Sequence, residues 1–236
     1  MAENKETNKI LSVDIGGSHI KATVLDRDGK ILQAYERVET PKSPDPKSVM
    51  VVIQDLASRF PEYQNISVGF PGYVKNGVVK TAPNLGTPAW ADFDLAKEVE
   101  KALKCPTKVV NDADMQGLGV VSRKGLELVI TLGTGFGTAL LLDGVLLPHL
   151  EMAHHPFAKK KTYDNYIGEK EMDEIGKERW NNRVKKVFLV LKTVFNYDHL
   201  YIGGGNASKI DFELDKNMTI VTNKDGIKGG ARLWDQ

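Results

Sequence analysis

Ile10-Leu-Ser-Val-Asp14-Ile-Gly16-Gly17-Ser18-His19-Ile-Lys21-Ala-Thr-Val-Leu25 is the stretch that decides how the chain is read. An apolar run rich in branched residues ends at an acid, passes through two glycines and a hydroxyl, and resumes as a second apolar run. That is the pattern of strand, tight turn, strand. Glycine lets backbone N–H groups approach an anion closely, and successive N–H groups in a turn make a concave phosphate site. The pattern returns at Leu128-Val-Ile-Thr-Leu-Gly133-Thr134-Gly135-Phe-Gly137-Thr138-Ala-Leu-Leu-Leu142. Laid on the first without a gap, it puts Gly133 on Gly16, Gly135 on Ser18, Ala139 on Ala22 and Leu142 on Leu25. Each copy then enters a short turn, Asp26-Arg-Asp-Gly29 or Asp143-Gly144, with a third strand expected after it. One copy alone reads as readily as an ordinary glycine hairpin. The repeat predicts two similar halves whose turns hold a chain of phosphates from both sides of a cleft.

The totals bound the rest. With 236 residues, 41% of them hydrophobic and 27% charged, the chain can bury the cores of two modest domains. A net charge of +1 gives no global field for nucleic acid or a membrane surface. Cys105 is the only cysteine, which excludes an intrachain disulfide and any multi-cysteine metal site. With neither a signal peptide nor a membrane-length apolar run, the expectation is a cytoplasmic protein without nucleic-acid or membrane partners.

Asp45-Pro46 reads as the start of a helix with Val49, Val52, Ile53, Leu56 and Phe60 on its apolar face. Ile66 to Phe70 is a buried strand, and Asn76-Gly77 marks a hairpin within Tyr73 to Lys80. A loop from Ala82 to Trp90 follows, then a helix capped by Asp94. Val109-Val110 is a strand ending at Asn111-Asp112, and a helix from Ala113 to Val121 joins the halves. His149 to Tyr166, polar and without period, reads as a working loop. Glu169 to Phe195 is helical with a break near Asn181-Asn182. Leu200 to Ile202 is a strand ending at Gly203-Gly204-Gly205, Met218 to Thr222 is the last strand, and Gly229 to Trp234 is a short closing helix. The expected domains are residues 1–111 and 112–236, with the last helix packing back on the first.

Three further features carry chemistry. Asp112 follows a strand at the join between halves, where ligands of open α/β sheets bind; it can take a proton from a hydroxyl, or simply cap a helix. Glu151 and His154 lie three residues apart in a loop and suit bidentate hydrogen bonding to neighbouring sugar hydroxyls; the same pair is half of a zinc site, or part of a solvated loop. Lys159-Lys160-Lys161 is a basic cluster that reads as a solvated charged face or, in context, as cations beside the phosphate turns, and the glycine triplet permits close approach of a nucleotide or phosphate.

Taken together, Asp14-Ile-Gly-Gly-Ser-His-Ile-Lys21, Asn111-Asp112-Ala113, Leu132-Gly-Thr-Gly-Phe-Gly137, Glu151-Met-Ala-His154 and Ile202-Gly-Gly-Gly205 resemble the ROK sugar kinases. These belong to the actin-like, ribonuclease-H-like ATPases. The fold so implied is two-domain α/β with a cleft between duplicated halves. Val68-Gly-Phe-Pro-Gly72, Thr81 to Gly86, His154-His-Pro-Phe157 and Gly229-Gly-Ala-Arg-Leu-Trp234 are most similar to the family's polyphosphate-using glucokinases. The resemblance implies phosphoryl transfer from inorganic polyphosphate, and from ATP as well, to the 6-hydroxyl of glucose. An ATP-only hexose kinase is the nearest alternative, and a non-catalytic sugar or polyphosphate sensor the alternative of another class. By resemblance Asp112 is the base. Asn84, Asn111, Glu151 and His154 hold the other hydroxyls, and Asp164 stands where the family's last sugar-binding glutamate is. Asp14 faces Mg²⁺, directly or through water. Gly16, Gly17, Ser18, Lys21, Thr134, Gly135, Gly203 and Gly204 meet the donor phosphates, with Lys159, Lys160 and Lys161 as a cationic track. Many relatives carry a cysteine-rich zinc motif where Thr162-Tyr-Asp-Asn-Tyr-Ile-Gly168 stands here, so no structural zinc is expected. With nine residues before Ile10, a DNA-binding role like that of the family's repressors is not expected. A homodimer is the family-based expectation for assembly.

Overall fold

The computed structural model of the chain describes residues 8–86, 88–158, 160–222 and 226–236. It divides into two compact units, one of residues 1–119 with 227–236 and one of residues 120–226.

The first unit is built on a five-stranded sheet of β1 (Ile10–Ile15), β2 (His19–Leu25), β3 (Glu36–Glu39), β4 (Asn65–Phe70) and β8 (Thr107–Asn111), in the order β3-β2-β1-β4-β8. Strands β1, β4 and β8 run parallel, and β2 and β3 return antiparallel. Alternation sends Leu11, Val13, Ile15, Ile20, Ala22, Val24, Ile66, Val68 and Phe70 to one face. There they meet α1 (Pro46–Ser58) and α2 (Leu95–Leu103) in one core with Trp90. Asp45 and Asp94 cap these helices as expected, accepting from Ser48 N at 2.9 Å and Lys97 N at 3.0 Å. The hairpin of β5 (Val74–Lys75) and β6 (Val78–Val79) turns at Asn76-Gly77, both at positive φ (52° and 79°), as a two-residue turn of this chemistry requires. β7 (Phe93–Asp94) adds a third strand to it. The 82–90 segment is less irregular than its composition implies, with 3₁₀ turns at Pro83–Leu85 and Pro88–Trp90.

The other face of this sheet carries Ser12, Thr23 and Ser67, all buried. The closing helix Gly229–Arg232 lies there with Trp234: Ser67 Oγ donates to Gly230 O at 2.5 Å and accepts from Trp234 Nε1 at 2.9 Å. Two glycines make the approach possible. A Cβ at Gly229 would sit 1.6 Å from Met115 O, and one at Gly230 2.2 Å from Ser12 Oγ.

The second unit repeats the plan. β9 (Leu126–Leu132), β10 (Phe136–Leu142), β11 (Val145–Leu146), β14 (His199–Gly203) and β15 (Met218–Ile220) form a sheet in the order β11-β10-β9-β14-β15, with the same pattern of parallel and antiparallel pairs. The duplication expected from the glycine turns thus extends to whole sheets, with one correction. Ile15 pairs with Ile20 across four turn residues, but Leu132 pairs with Phe136 across three. The second turn is one residue shorter, so the ladder counterpart of Ala22 is Thr138 and not Ala139. A gapless overlay would turn β10 to the wrong face.

Other expectations shift as well. In the first half the chain makes only an isolated bridge, Leu25 with Ile31, before β3 begins at Glu36. Residues 149–166 contain a 3₁₀ turn (Met152–His154), a hairpin of β12 (Pro156–Ala158) and β13 (Lys161–Thr162), and the start of α4 (Tyr163–Ile167). The following helix breaks at Gly176 (φ 82°), between α5 (Glu169–Ile175) and α6 (Lys177–Phe195). It does not break at Asn181, which is buried in α6, where Nδ2 donates to Lys177 O and Lys209 O and Oδ1 accepts from Asp211 N. The last strand stops at Ile220. Trp180, Val184, Val187, Phe188 and Leu191 of α6 pack on Leu128, Ile130, Leu132, Leu200 and Ile202. Among the described residues no helix is long and apolar enough to cross a membrane.

Candidate functional site

In the first unit the turn between β1 and β2 is closed by Gly16 N donating to His19 O at 3.0 Å. Thr40, just past β3, ties it from the side: its N donates to Ser18 O at 2.9 Å and its Oγ1 to Gly16 O at 2.7 Å. Among the described residues the N–H groups of Gly17 and Ser18 have no acceptor, and both residues are exposed. Two adjacent free amides on a braced turn are what an oxyanion needs. Asp14, at the end of β1, lies 3.8 Å from Lys21 Nζ. Burial pushes its carboxyl above the usual carboxylate range, with Lys21 pulling the other way. Tyr35 is pushed up to about 12 by burial and by the Asp14 charge.

Asp112 opens α3 (Asp112–Val120) directly after β8. Capping, the alternative reading of Asp112, falls largely to Asn111, whose Oδ1 accepts from Ala113 N at 2.8 Å and Asp114 N at 3.3 Å. Asn111 Nδ2 donates to Gly72 O at 3.0 Å. Asn111, expected to hold a sugar hydroxyl, is therefore buried with its amide spent inside the unit. Asp112 is half-buried, and its Oδ1 accepts from Ala113 N at 2.8 Å. Gly69 lets this corner close: a Cβ there would lie 3.3 Å from Asp112 Cα and 2.7 Å from Met115 Cε. The Asn84 side chain lies outside the described residues.

In the second unit the shorter turn is closed by Gly133 N donating to Gly135 O at 3.1 Å, and Thr134 and Gly135 keep their N–H groups unbonded among the described residues. Glu169 N and Asn206 Nδ2 both donate to Gly133 O, at 3.0 and 3.2 Å. Asp164 Oδ1 accepts from Phe136 N at 2.6 Å. The glycine triplet joins the same construction. Gly204 has φ +87° and no room for a Cβ, which would sit 2.3 Å from Leu132 O, while Asn206 N donates to that carbonyl at 2.9 Å. Gly203 is buried, and Gly205 is exposed with open space at its Cβ position.

Glu151 lies between two imidazoles, 3.5 Å from His149 Nε2 and 4.0 Å from His154 Nε2. Its Oε1, the atom that faces His149 Nε2, is buried and makes no hydrogen bond among the described residues. Thr138 Oγ1 holds this segment through Leu150 O at 2.8 Å. Asp164 senses the same pair. Burial raises its carboxyl, the Phe136 amide and His154 lower it, and Glu151 raises it. Glu151, His154 and Asp164 thus form one cluster beside the second turn.

The lysine cluster is divided. Lys159 lies outside the described residues, and Lys160 is exposed at a turn with φ 67°. Lys161 is engaged: its Nζ meets the Glu171 carboxylate at 2.5 Å, and Arg183 meets the same carboxylate from the other side. Burial pushes Glu171 up, but these two cations outweigh it and hold the carboxyl below its ordinary range. Lys161 is thus a structural cation rather than a free one. Reading the sequence missed His149, Asn206 and Thr40. His149 stands two residues before Glu151 and Asn206 directly follows the glycine triplet, so nearness to a motif was their signal; Thr40 stands far from any motif in sequence and reaches the first turn only through the pairing of β3 with β2.

The donor set at Asp14 fits a hard cation. One partly buried carboxylate with an incomplete counter-charge suits Mg²⁺, which is held through one or two carboxylates together with substrate phosphates. Among the described residues no group of three or more His, Cys, Asp or Glu forms a metal cage.

Comparison with known proteins places the fold and the family. The chain is 28% identical over 235 residues to the polyphosphate glucokinase of Mycobacterium tuberculosis (strain CDC 1551 / Oshkosh), covering 93% of this chain and 88% of that one. The crystal structure of the inorganic polyphosphate/ATP-glucomannokinase from Arthrobacter sp. strain KM superposes with a TM-score of 0.85 at 29% identity, over 97% of this chain and 99% of that one. A ROK family glucokinase from Streptomyces griseus, solved with glucose and AMPPNP, shares the fold at a TM-score of 0.75 and 20% identity, over 95% and 98% of the two chains. The fold is the two-domain actin-like one of these sugar kinases. The ROK family pattern itself matches residues 10–154, from β1 through both glycine turns to His154, and the chain belongs to the ROK family.

Proposed function

We propose that the chain transfers a phosphoryl group from inorganic polyphosphate, and from ATP as a second donor, to the 6-hydroxyl of glucose. Its standing as a sugar phosphotransferase rests on the family and on relatives that are glucokinases. The donor and the residue roles are our reading. The observation that carries them is the position of Asp112, half-buried at the carboxyl end of β8 where α3 opens, beside a helix cap made by Asn111.

In this reading Asp112 takes the proton of the 6-hydroxyl as its oxygen attacks the terminal phosphorus, and the shortened polyphosphate leaves. Glu151, His154, Asp164 and Asn84 hold the remaining hydroxyls. The amides of Gly17 and Ser18, each held in its own unit's turn, and likewise those of Thr134 and Gly135, are donors for the oxygens of the phosphate donor. Gly16 keeps the first turn tight, Gly203 and Gly204 brace the second, and Lys21 and Lys160 add positive charge. Asp14 would hold Mg²⁺, which when bound to the donor neutralises phosphate charge. We place the enzyme in the cytoplasm as a homodimer. Its lone thiol, buried Cys105, suits a reducing compartment, and sedimentation of the purified chain tests the dimer. The deciding experiment is a coupled assay for glucose 6-phosphate with either donor. Activity with ATP alone rejects the polyphosphate reading, and activity with neither rejects both.

A further inference from the structure

We infer that Arg37, on edge strand β3, is a phosphate contact that extends the first glycine turn along the sheet, its ligand being the inner phosphates of an inorganic polyphosphate chain. This rests on the polyphosphate reading above. Strand register sets the geometry. Asp14 is paired with Lys21, and Lys21 with Arg37, so the three stand in one row across β1, β2 and β3. Residues directly opposite in such a ladder have Cβ atoms about 5 Å apart and share a face. That face is not the core face, to which Ile20 and Val38 turn.

Two cations directly opposite each other destabilise a sheet unless something offsets them. Lys21 has Asp14 at 3.8 Å. Arg37 is exposed and has no ion pair among the described residues. Its neighbours in β3 leave it so. Glu36 turns to the other face, where its Oε2 accepts from Arg59 Nη1 at 3.1 Å, and Glu39 stands opposite His19. The strand bearing Arg37 is also tied to the phosphate turn, through the two hydrogen bonds from Thr40 to Ser18 O and Gly16 O. The free amides of Gly17 and Ser18, Lys21 and Arg37 therefore belong to one rigid surface. A linear polyanion with its end on the amides can run along the row and meet both cations. A single phosphate reaches only the amides.

The test is equilibrium binding of long-chain polyphosphate to the intact protein without glucose, across a series of salt concentrations, with inorganic phosphate as the short probe. Each cation contact to a polyanion contributes roughly 0.7–0.9 to the slope of log affinity against log salt, by analogy with nucleic acids. Arg37→Ala should lower the slope by about that amount and weaken low-salt binding by roughly 5–10-fold, leaving inorganic phosphate binding unchanged, while Arg37→Lys keeps the slope. An Arg37→Ala protein with wild-type affinity and slope for long chains overturns the Arg37 assignment alone. A wild type that neither binds nor uses polyphosphate overturns the donor reading, and this inference with it.

Discussion

Asp164 Oδ1 accepts the Phe136 N–H at 2.6 Å, so the carboxylate that senses Glu151 and His154 is also the brace of the second glycine turn. The Glu151–His154 pair and the second glycine turn thus share one side chain. A Cβ at Gly135 would lie only 2.9 Å from the same oxygen, which explains why that turn position carries glycine.

This double duty has a pH signature. Burial raises the Asp164 carboxyl, so the folded chain holds that proton more tightly than the unfolded chain does. The stability linked to it is full below the ordinary carboxylate range and declines as pH rises through that range toward the raised folded value. Asp164→Asn keeps an acceptor for Phe136 N–H and cannot ionise. It should unfold at or above the wild-type temperature at pH 7, with the difference vanishing near pH 4, about the ordinary value. Asp164→Ala leaves a buried N–H unpaired and should cost about 1–3 kcal/mol at either pH. Calorimetry of the three proteins at both pH values checks this, and an Asn variant much less stable at pH 7 contradicts it.

Asp112 and Asn111 should separate cleanly on mutation. Asp112→Asn removes the base while the Asn111 cap stays, so turnover should drop by roughly 10²-fold or more with thermal stability and glucose affinity nearly unchanged. Asn111→Ala strips the cap and the bond to Gly72 O, and should cost about 1–3 kcal/mol of stability. Turnover, glucose binding and melting temperature, measured together on both variants, make the comparison. Near-normal turnover in the Asp112→Asn protein would return Asp112 to a capping role.

The lysines should also divide. Lys161→Ala should act on stability, by about 1 kcal/mol, because Arg183 still partners Glu171 and the lysine is partly open to water. Its Michaelis constant for polyphosphate should stay near wild type. Lys160→Ala should do the reverse, raising that constant while leaving the melting temperature in place. A triple alanine replacement would confuse the two effects, so the single variants are the informative ones.

The turn residues announced much of this architecture. Asp45, Asp94 and Asn76-Gly77 behave as their local chemistry dictates, because capping and positive φ are decided within a few residues. What the chain concealed depends on partners far away in sequence. The break between α5 and α6 falls at Gly176, while Asn181-Asn182 looked the weaker point; Asn181 is kept helical by Lys209 O and Asp211 N, nearly thirty residues on. The register of the second hairpin could not be read from its glycines, since a turn one residue shorter leaves the same letters in place. Lys161 looked like free charge because its counter-ion, Glu171, lies on the next helix but one. In the candidate site the glycine turns, Asp112 and the Glu151–His154 pair were visible as motifs. The roles of Asn111 and His149 emerge only when their hydrogen bonds and neighbours are placed.

The closing helix gives the first unit an awkward birth order. Ser67 donates to a carbonyl 163 residues downstream, and the chain builds an entire second unit before Gly230 arrives. Domains generally fold as they leave the ribosome, the N-terminal one first. Here the earlier sheet emerges with Ser12, Thr23 and Ser67 on a face that the closing helix does not yet cover. A nascent chain stalled anywhere before the closing helix therefore presents a half-finished first unit, and completion of that sheet reports that translation has passed Trp234.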